Sequence, residues 1–292
     1  MKQEIEINQE KGVSLLQNGV RRLKKDRLAM GGLFVLLLLA AVSLFAPFLT
    51  PYGRDVQDLT AAFEAPGAKH WLGTDELGRD VYTRLLYGGR VSLSVGLIST
   101  GISVTLGIIL GSVAGYFGKM ADSIIMRIVD IFMCFPFYVI AITCAAIFGP
   151  SIINVMLISG LLSWTGVCRI VRGEVLSLKQ RDYVEAVRAL GLNDFGGGGG
   201  GGIPNVVPIV IVNATLGIAN GILSEAGLSY LGLGVAPPTP SWGNMLAAAQ
   251  NLRILRKYWW LWVPAGLCVC ITILAINFLG DGLRNAFDPK LD

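Results

Sequence analysis

The sequence predicts an all-α polytopic membrane protein with six transmembrane helices, and three observations carry that prediction. Apolar residue types make up 53% of the 292 residues and charged types only 15%, against about 25% charged in a soluble domain. The apolar residues gather into runs at 28–49, 91–117, 124–148, 152–170, 206–228 and 259–279, each near the length of about 20 helical residues that crosses a hydrocarbon core. None of the runs alternates with period two. A backbone in lipid must satisfy its own hydrogen bonds, so helices are expected rather than barrel strands.

The first span follows Arg21, Arg22, Lys24, Lys25 and Arg27. Its apolar run is longer than a signal-peptide core, and Ala46-Pro47 offers no small-x-small cleavage pattern, so an uncleaved helix is expected. Lys and Arg number 7 before this span and 2, 5 and 2 in the later inside segments, against 5 and 3 in the two outside segments. That bias places both termini in the cytoplasm by the positive-inside rule. The net charge of +4 follows from the same asymmetry and implies no nucleic-acid partner. The division expected is a cytoplasmic 1–27, a first span 28–49, an extracytoplasmic 50–90, a core 91–280 and a cytoplasmic tail 281–292. Within the core lie an inside loop, 180–205, and a second extracytoplasmic segment, 229–258.

In the first outside segment, Val81, Tyr82, Leu85 and Leu86 share one helical face while Asp80, Thr83 and Arg84 share another, with Asp80 and Arg84 one turn apart. A short amphipathic helix over 79–87, lying at the membrane surface, is the expectation. The second outside segment holds Pro237, Pro238 and Pro240, which favour extended backbone. Trp242, Tyr258, Trp259, Trp260 and Trp262 are expected as interfacial anchors. The cysteines, Cys134, Cys144, Cys168, Cys268 and Cys270, have neither metal-site nor redox spacing and suit apolar packing.

The inside loop carries the most specific pattern. Asp182 can cap a short helix, with Glu185 three residues on and Gly191 as its left-handed terminator. Ala186 and Ala189 leave a small-residue face beside Tyr183 and Arg188. Asn193 or Asp194 can cap a second helix, which Pro204 would end. Glu185-Ala186, then Gly191, then Ile203-Pro204 resemble the EAA coupling loop of ABC importer permeases, with Val187 in place of the usual third alanine. The stretches 72–81 (LGTDELGRDV) and 225–234 (EAGLSYLGLG), together with Pro240-Ser241-Trp242-Gly243 and Gly280-Asp281-Gly282, resemble one branch of that superfamily. It is the second permease subunit of dipeptide, oligopeptide and nickel importers. The resemblance implies a type I importer permease fold, a homologous permease partner, two ATPase subunits carrying ATP and Mg, and an extracytoplasmic solute-binding protein. It also implies import of di- or oligopeptides, with nickel or a metal chelate as the alternative. Docking of the binding protein would involve Asp75, Arg79, Asp80, Pro240 and Trp242.

Seven glycines, Gly196 to Gly202, stand where the resemblance implies a second coupling helix. Glycine costs about 1 kcal/mol per helical position relative to alanine, so an isolated helix is not expected there. As coil the run reaches about 13 to 16 Å and acts as a tether. A true glycine run and a stand-in for other residues are both open, and an intact mass separates them. Neither this run nor any other stretch is followed by the Lys-Ser/Thr of a nucleotide-binding Walker A loop. The chain is therefore expected not to be an enzyme and to bind no cofactor or metal itself.

Inside the spans, Asp130 and Glu225 must face protein or water because an unpaired charge in lipid is expensive. Each is either a lining of the pathway or a partner in an interhelical pair, for Asp130 with Arg127. Asn213, Asn220 and Asn277 are candidates for a path that passes uncharged or zwitterionic solute, and Gly166, Gly173 and Gly217 for close packing or bending. His70 is expected at the surface. With a single histidine, no intramembrane hydrolase site can be built, and a self-sufficient channel is the remaining rival.

Overall fold

The computed structural model describes residues 15–179 and 199–287, and among these every regular element is helical. The predicted coupling residues Asp182, Tyr183, Glu185, Ala186, Arg188, Ala189, Gly191 and Asp194 lie outside the described residues. Helix α1 (Leu15–Leu23) leads into α2 (Arg27–Leu44), whose first turn is capped by Asp26 accepting from the Leu28 and Ala29 amides. A one-turn α3 (Ala46–Leu49) closes the first crossing. Among the described residues five helices are long and apolar enough to cross a membrane: α2, α4 (Val81–Phe117), α7 (Ile152–Lys179), the 206–230 part of α8 (Gly199–Tyr230), and α11 (Val263–Phe287). The short α9 (Trp242–Leu246) and α10 (Leu252–Lys257) precede α11.

The expected third span is not one straight helix. It is divided into α5 (Lys119–Cys134) and α6 (Phe137–Phe148), bent by 84°. Pro136 has no amide hydrogen to donate and drives the residue before it out of the helical region. Phe135 accordingly sits at φ −96°, ψ 136°.

The surface helix expected at 79–87 is likewise not a separate element. It forms the first turns of α4, which runs for 37 residues without a break. At 1.5 Å per residue α4 is about 55 Å long, against a hydrocarbon core of about 30 Å. It therefore stands well clear of the membrane at one end. Continuity is possible because Gly88 and Gly89 lie under other parts of the chain. A Cβ on Gly88 would come within 3.2 Å of the Ser241 backbone, and one on Gly89 would collide with Ser43 Oγ.

Helix α4 is the axle of the bundle, in contact with α2, α5, α7 and α8, while α11 packs on α2 and α8. Its approach to α7 follows from glycines four residues apart, the spacing that lets membrane helices come close. A Cβ on Gly111 would stand 2.6 Å from the Cys168 carbonyl, one on Gly107 2.6 Å from Val167, and one on Gly115 2.8 Å from Val175. The glycines expected to serve packing behave differently: Gly166 and Gly173 face open space, and only Gly217 meets a neighbour, Thr100.

Helix α8 begins at Gly199, inside the glycine run, and continues through Pro204, which therefore does not end a helix. The expectation concerned an isolated segment. Here the glycines extend a helix already nucleated by the apolar residues that follow, and adding a turn to an existing helix avoids the cost of starting one.

Candidate functional site

At one end of the bundle the 50–80 and 231–262 connections fold together into a cap over the protruding first turns of α4. Val81, Leu85, Trp242, Met245, Tyr258 and Trp260 form its buried core. Phe63 stacks on Tyr258 with ring centroids 4.5 Å apart, and Trp260 Nε1 donates to the Thr74 carbonyl at 3.3 Å. The strand-like reversal at 74–80 turns on Gly78, at φ +70°, where any Cβ would run into the Asp58 carbonyl.

The polar residues of the cap are turned inward. Asp80 caps α4, accepting from the Thr83 amide at 2.7 Å and hydroxyl at 2.8 Å, while its other oxygen lies 2.9 Å from His70 Nδ1. His70 is 5% exposed and stacks on Tyr52, so the expectation of a surface histidine is wrong. A ring beside a helix-capping carboxylate gains a hydrogen bond that water would otherwise supply. Asp75 Oδ1 accepts from the Leu77 and Arg79 amides, and its Oδ2 faces Arg79 Nε at 2.7 Å and Arg84 Nε at 3.5 Å. Arg84 is thus paired with Asp75 and not, as the one-turn spacing suggested, with Asp80. Outside the cap core, the exposed Asp58 carboxyl is held below its usual value by the Thr60 hydroxyl and amide.

Of the residues expected to dock the binding protein, Asp80, Arg79, Pro240 and Trp242 are buried and Asp75 is half-buried. Trp242 is no interfacial anchor: it is 1% exposed and donates through Nε1 to the Leu85 carbonyl at 3.0 Å. Tyr258 and Trp260 are also buried, whereas Trp259 is exposed as an anchor should be.

Beneath the cap, Glu225 of α8 is fully buried. Its Oε2 accepts from Ser92 of α4 and its Oε1 from Ser229, both at 2.7 Å. The serines pass the contact outward. The Trp242 amide donates to Ser92 Oγ and the Val235 amide to Ser229 Oγ, each at 3.1 Å. Gly243 completes the closure, since a Cβ there would stand 2.7 Å from Ala226 Cα. Glu225 therefore does not line a pathway. A carboxylate supplied with this many hydroxyl donors is a joint that ties α4, α8 and the 241–243 turn.

The other pathway candidates separate into two sets. Asn220 and Asn277 are exposed on their apolar helices, and an amide so placed needs water or another polypeptide opposite it. Asn213 instead donates to the Ile209 carbonyl of its own helix at 2.7 Å. Asp130 pairs with Arg169 of α7 and not with Arg127. Geometry explains the choice: Arg127 is exposed on the same helix, while Arg169 reaches across from the neighbouring one. Arg172 of α7 grips Asp122 of α5 in the same way, and Lys179 Nζ donates to the Tyr116 carbonyl. Sequence reasoning passed over the glycine seam of α4 and the serines around Glu225. The four-residue spacing of Gly107, Gly111 and Gly115 was a usable signal, whereas Ser92, Ser229 and Ser241 meet only through tertiary structure.

Residues 107–292 match the family described as the binding-protein-dependent transport system inner membrane component, and residues 14–66 match the N-terminal TM domain of oligopeptide transport permease C. The chain is 43% identical over 281 residues to the dipeptide transport system permease protein DppC of Bacillus subtilis (strain 168), covering 96% of this chain and 87% of the relative. It is 41% identical over 269 residues to the di/tripeptide transport system permease protein DppC of Pseudomonas aeruginosa (strain UCBPP-PA14), covering 90% and 88%. It is 37% identical over 282 residues to the oligopeptide transport system permease protein OppC of Bacillus subtilis (strain 168), covering 96% and 92%.

Proposed function

The chain belongs to the family of binding-protein-dependent transport system inner membrane components, and from that premise we propose that it forms half of the pathway of an ATP-driven importer of di- and oligopeptides. The observation that carries this reading is likeness over 90 to 96% of the chain to permeases named for peptides. Those names favour peptides over the nickel or metal-chelate alternative. In this role the chain is a multi-pass membrane subunit without catalysis of its own. ATP and Mg act on two separate ATPase subunits, a homologous permease completes the pathway, and an extracytoplasmic binding protein delivers solute to the cap end. The charge bias puts both termini on the cytoplasmic side of a bacterial or archaeal plasma membrane.

The coupling loop 180–205 joins α7 to α8. Asp182, Tyr183, Glu185, Ala186, Arg188, Ala189, Gly191 and Asp194 form its docking half. Pro204 lies on the α8 side. Movement of the loop, driven by ATPase closure, acts directly on both helices. Helix α8 carries the Glu225 joint near its far end, so it works as a rod connecting the ATPase side with the cap. The α4–α7 seam, being lined by glycine, gives the second helix a smooth surface to shift along. Asn220 and Asn277, exposed on helices of the same subunit, supply uncharged donors and acceptors to a zwitterionic solute.

The test is uptake of labelled dipeptide into vesicles holding the assembled transporter, its binding protein and ATP. ATP-dependent accumulation is expected, and its absence for every di- and tripeptide tried would defeat the reading. A glycine run at 196–202 should loosen the drive. Replacing it with a helix-forming sequence is expected to raise transport per ATP, and an unchanged ratio would remove the run from the coupling mechanism.

A further inference from the structure

The cap contains a cavity of about 360 Å³ between the 75–79 turn, the start of α4 and the 244–261 segment. Its size falls in the range of small-molecule sites. Val81, Met245, Ile254 and Leu261 give it an apolar floor. The polar wall is set by Arg79 and Arg84, both buried. Their pairing leaves donors over. Both guanidiniums address Asp75 Oδ2 through Nε, at 2.7 and 3.5 Å, and Asp75 Oδ1 is already filled by two backbone amides. Arg84 makes one further contact, a long hydrogen bond of 3.4 Å from Nη1 to the Pro238 carbonyl. Among the described residues its Nη2 has no hydrogen-bond partner, and it keeps some contact with solvent. A guanidinium has five N–H donors, so this fork keeps donors free for whatever fills the cavity, water or a ligand.

The local charge balance defines what that is. Arg54 and Asp55, whose fields reach Arg84, are joined to each other at 2.6 Å and cancel. Asp75 offsets one of the two buried arginines, so the wall keeps one positive charge. Glu76, exposed at the rim, supplies one negative charge. A cavity with an uncommitted guanidinium fork inside, a carboxylate at its mouth and an apolar floor is complementary to a molecule bearing a carboxylate, an ammonium and a small side chain.

We propose that this cavity is a binding site for a short peptide, with the peptide's C-terminal carboxylate on Arg84 and Arg79 and its N-terminal ammonium on Glu76. The ligand class rests on the peptide-permease reading above; the site itself rests on the cavity and the unused arginine donors. It lies in the cap, apart from Asn220 and Asn277 on the spans, so it acts as a station for peptide at the mouth rather than as a stretch of the membrane pathway.

The experiment uses the assembled transporter in nanodiscs without its binding protein, titrated calorimetrically with trialanine, trialanine C-terminal amide and N-acetyl-trialanine. Trialanine is expected to bind, and the C-terminal amide at least about tenfold more weakly, the loss of one charge-assisted pair. Arg84→Gln should lower trialanine affinity by a similar factor. Because a buried arginine can be needed for folding, the exposed Glu76→Gln serves as the second variant. It should weaken trialanine while leaving the affinity for N-acetyl-trialanine unchanged. Equal affinity for the acid and the amide, indifference to both substitutions, or no binding by the wild type would each overturn the site. Peptide uptake with binding protein, measured on the same preparation, separates the premises: uptake without binding here rejects the site alone, whereas no peptide uptake rejects the peptide reading.

Discussion

The cap and the bend between α5 and α6 are built by opposite rules. At the cap end, polar side chains are drawn inside: Asp80, His70, Arg79, Arg84, Glu225 and Ser241 are all buried and hydrogen-bonded or ion-paired. At the α5–α6 bend the arrangement is inverted. The six consecutive residues 131–136 are exposed, five of them apolar or aromatic, and the charged pairs Asp130–Arg169 and Asp122–Arg172 sit partly in the open. The cap is complete within one chain, whereas the bend presents a surface whose partners are lipid or another polypeptide. The cap is thus a rigid head, and the bend is a flank that meets other surfaces.

The sharpest way to break this contrast is at Gly78. Gly78→Ala puts a Cβ into the Asp58 carbonyl at a positive φ, and a loss of more than about 4 kcal/mol is expected, seen as a cap that unfolds ahead of the spans. Tryptophan fluorescence during heating in nanodiscs reports it through Trp242 and Trp260; an unaltered transition would mean that the cap is not the rigid body described. Glu225→Ala comes next. It strips the acceptor from Ser92 and Ser229 and should cost about 3 kcal/mol, with Glu225→Gln costing less because an amide still accepts. Equal transitions for the two variants would show that the joint does not depend on its acceptor.

Gly111→Val tests the seam between α4 and α7. With 2.6 Å to the Cys168 carbonyl, overpacking is expected to cost about 1 to 3 kcal/mol and to slow transport beyond its effect on stability; a rate that follows stability alone would make the seam mere packing. The smallest effect belongs to the exposed flank. Asp122→Asn should change thermal stability by less than about 1 kcal/mol, since its arginine partner is partly solvated. A loss approaching that of Glu225→Ala would erase the distinction between the cap and the flank.

Much of the fold was legible from composition, because lipid imposes length and apolarity directly on the chain. Five of the six expected runs became long apolar helices, and the sixth was broken at Pro136, a residue whose effect follows from its missing donor. The surface helix at 79–87 was recognised as helical but not as part of α4. Periodicity reports which face is apolar, and it does not report where a helix stops when glycines 88 and 89 are shielded by Ser241 and Ser43. The candidate site was less legible. Glu225 and Asp80 were picked out as polar residues of interest, yet their surroundings come from segments over a hundred residues away for Ser92 and ten residues away for His70.

The sequence by itself determined that this protein lives in a membrane, that it crosses it with helices, and which family it resembles, because hydropathy and motif are properties of neighbours along the chain. Tertiary structure alone decided which charges are spent. Asp75 could have served one arginine or two, Arg84 could have paired with Asp80, and Asp130 with Arg127. Those outcomes depend on distances through space, which no pattern of neighbours along the chain records.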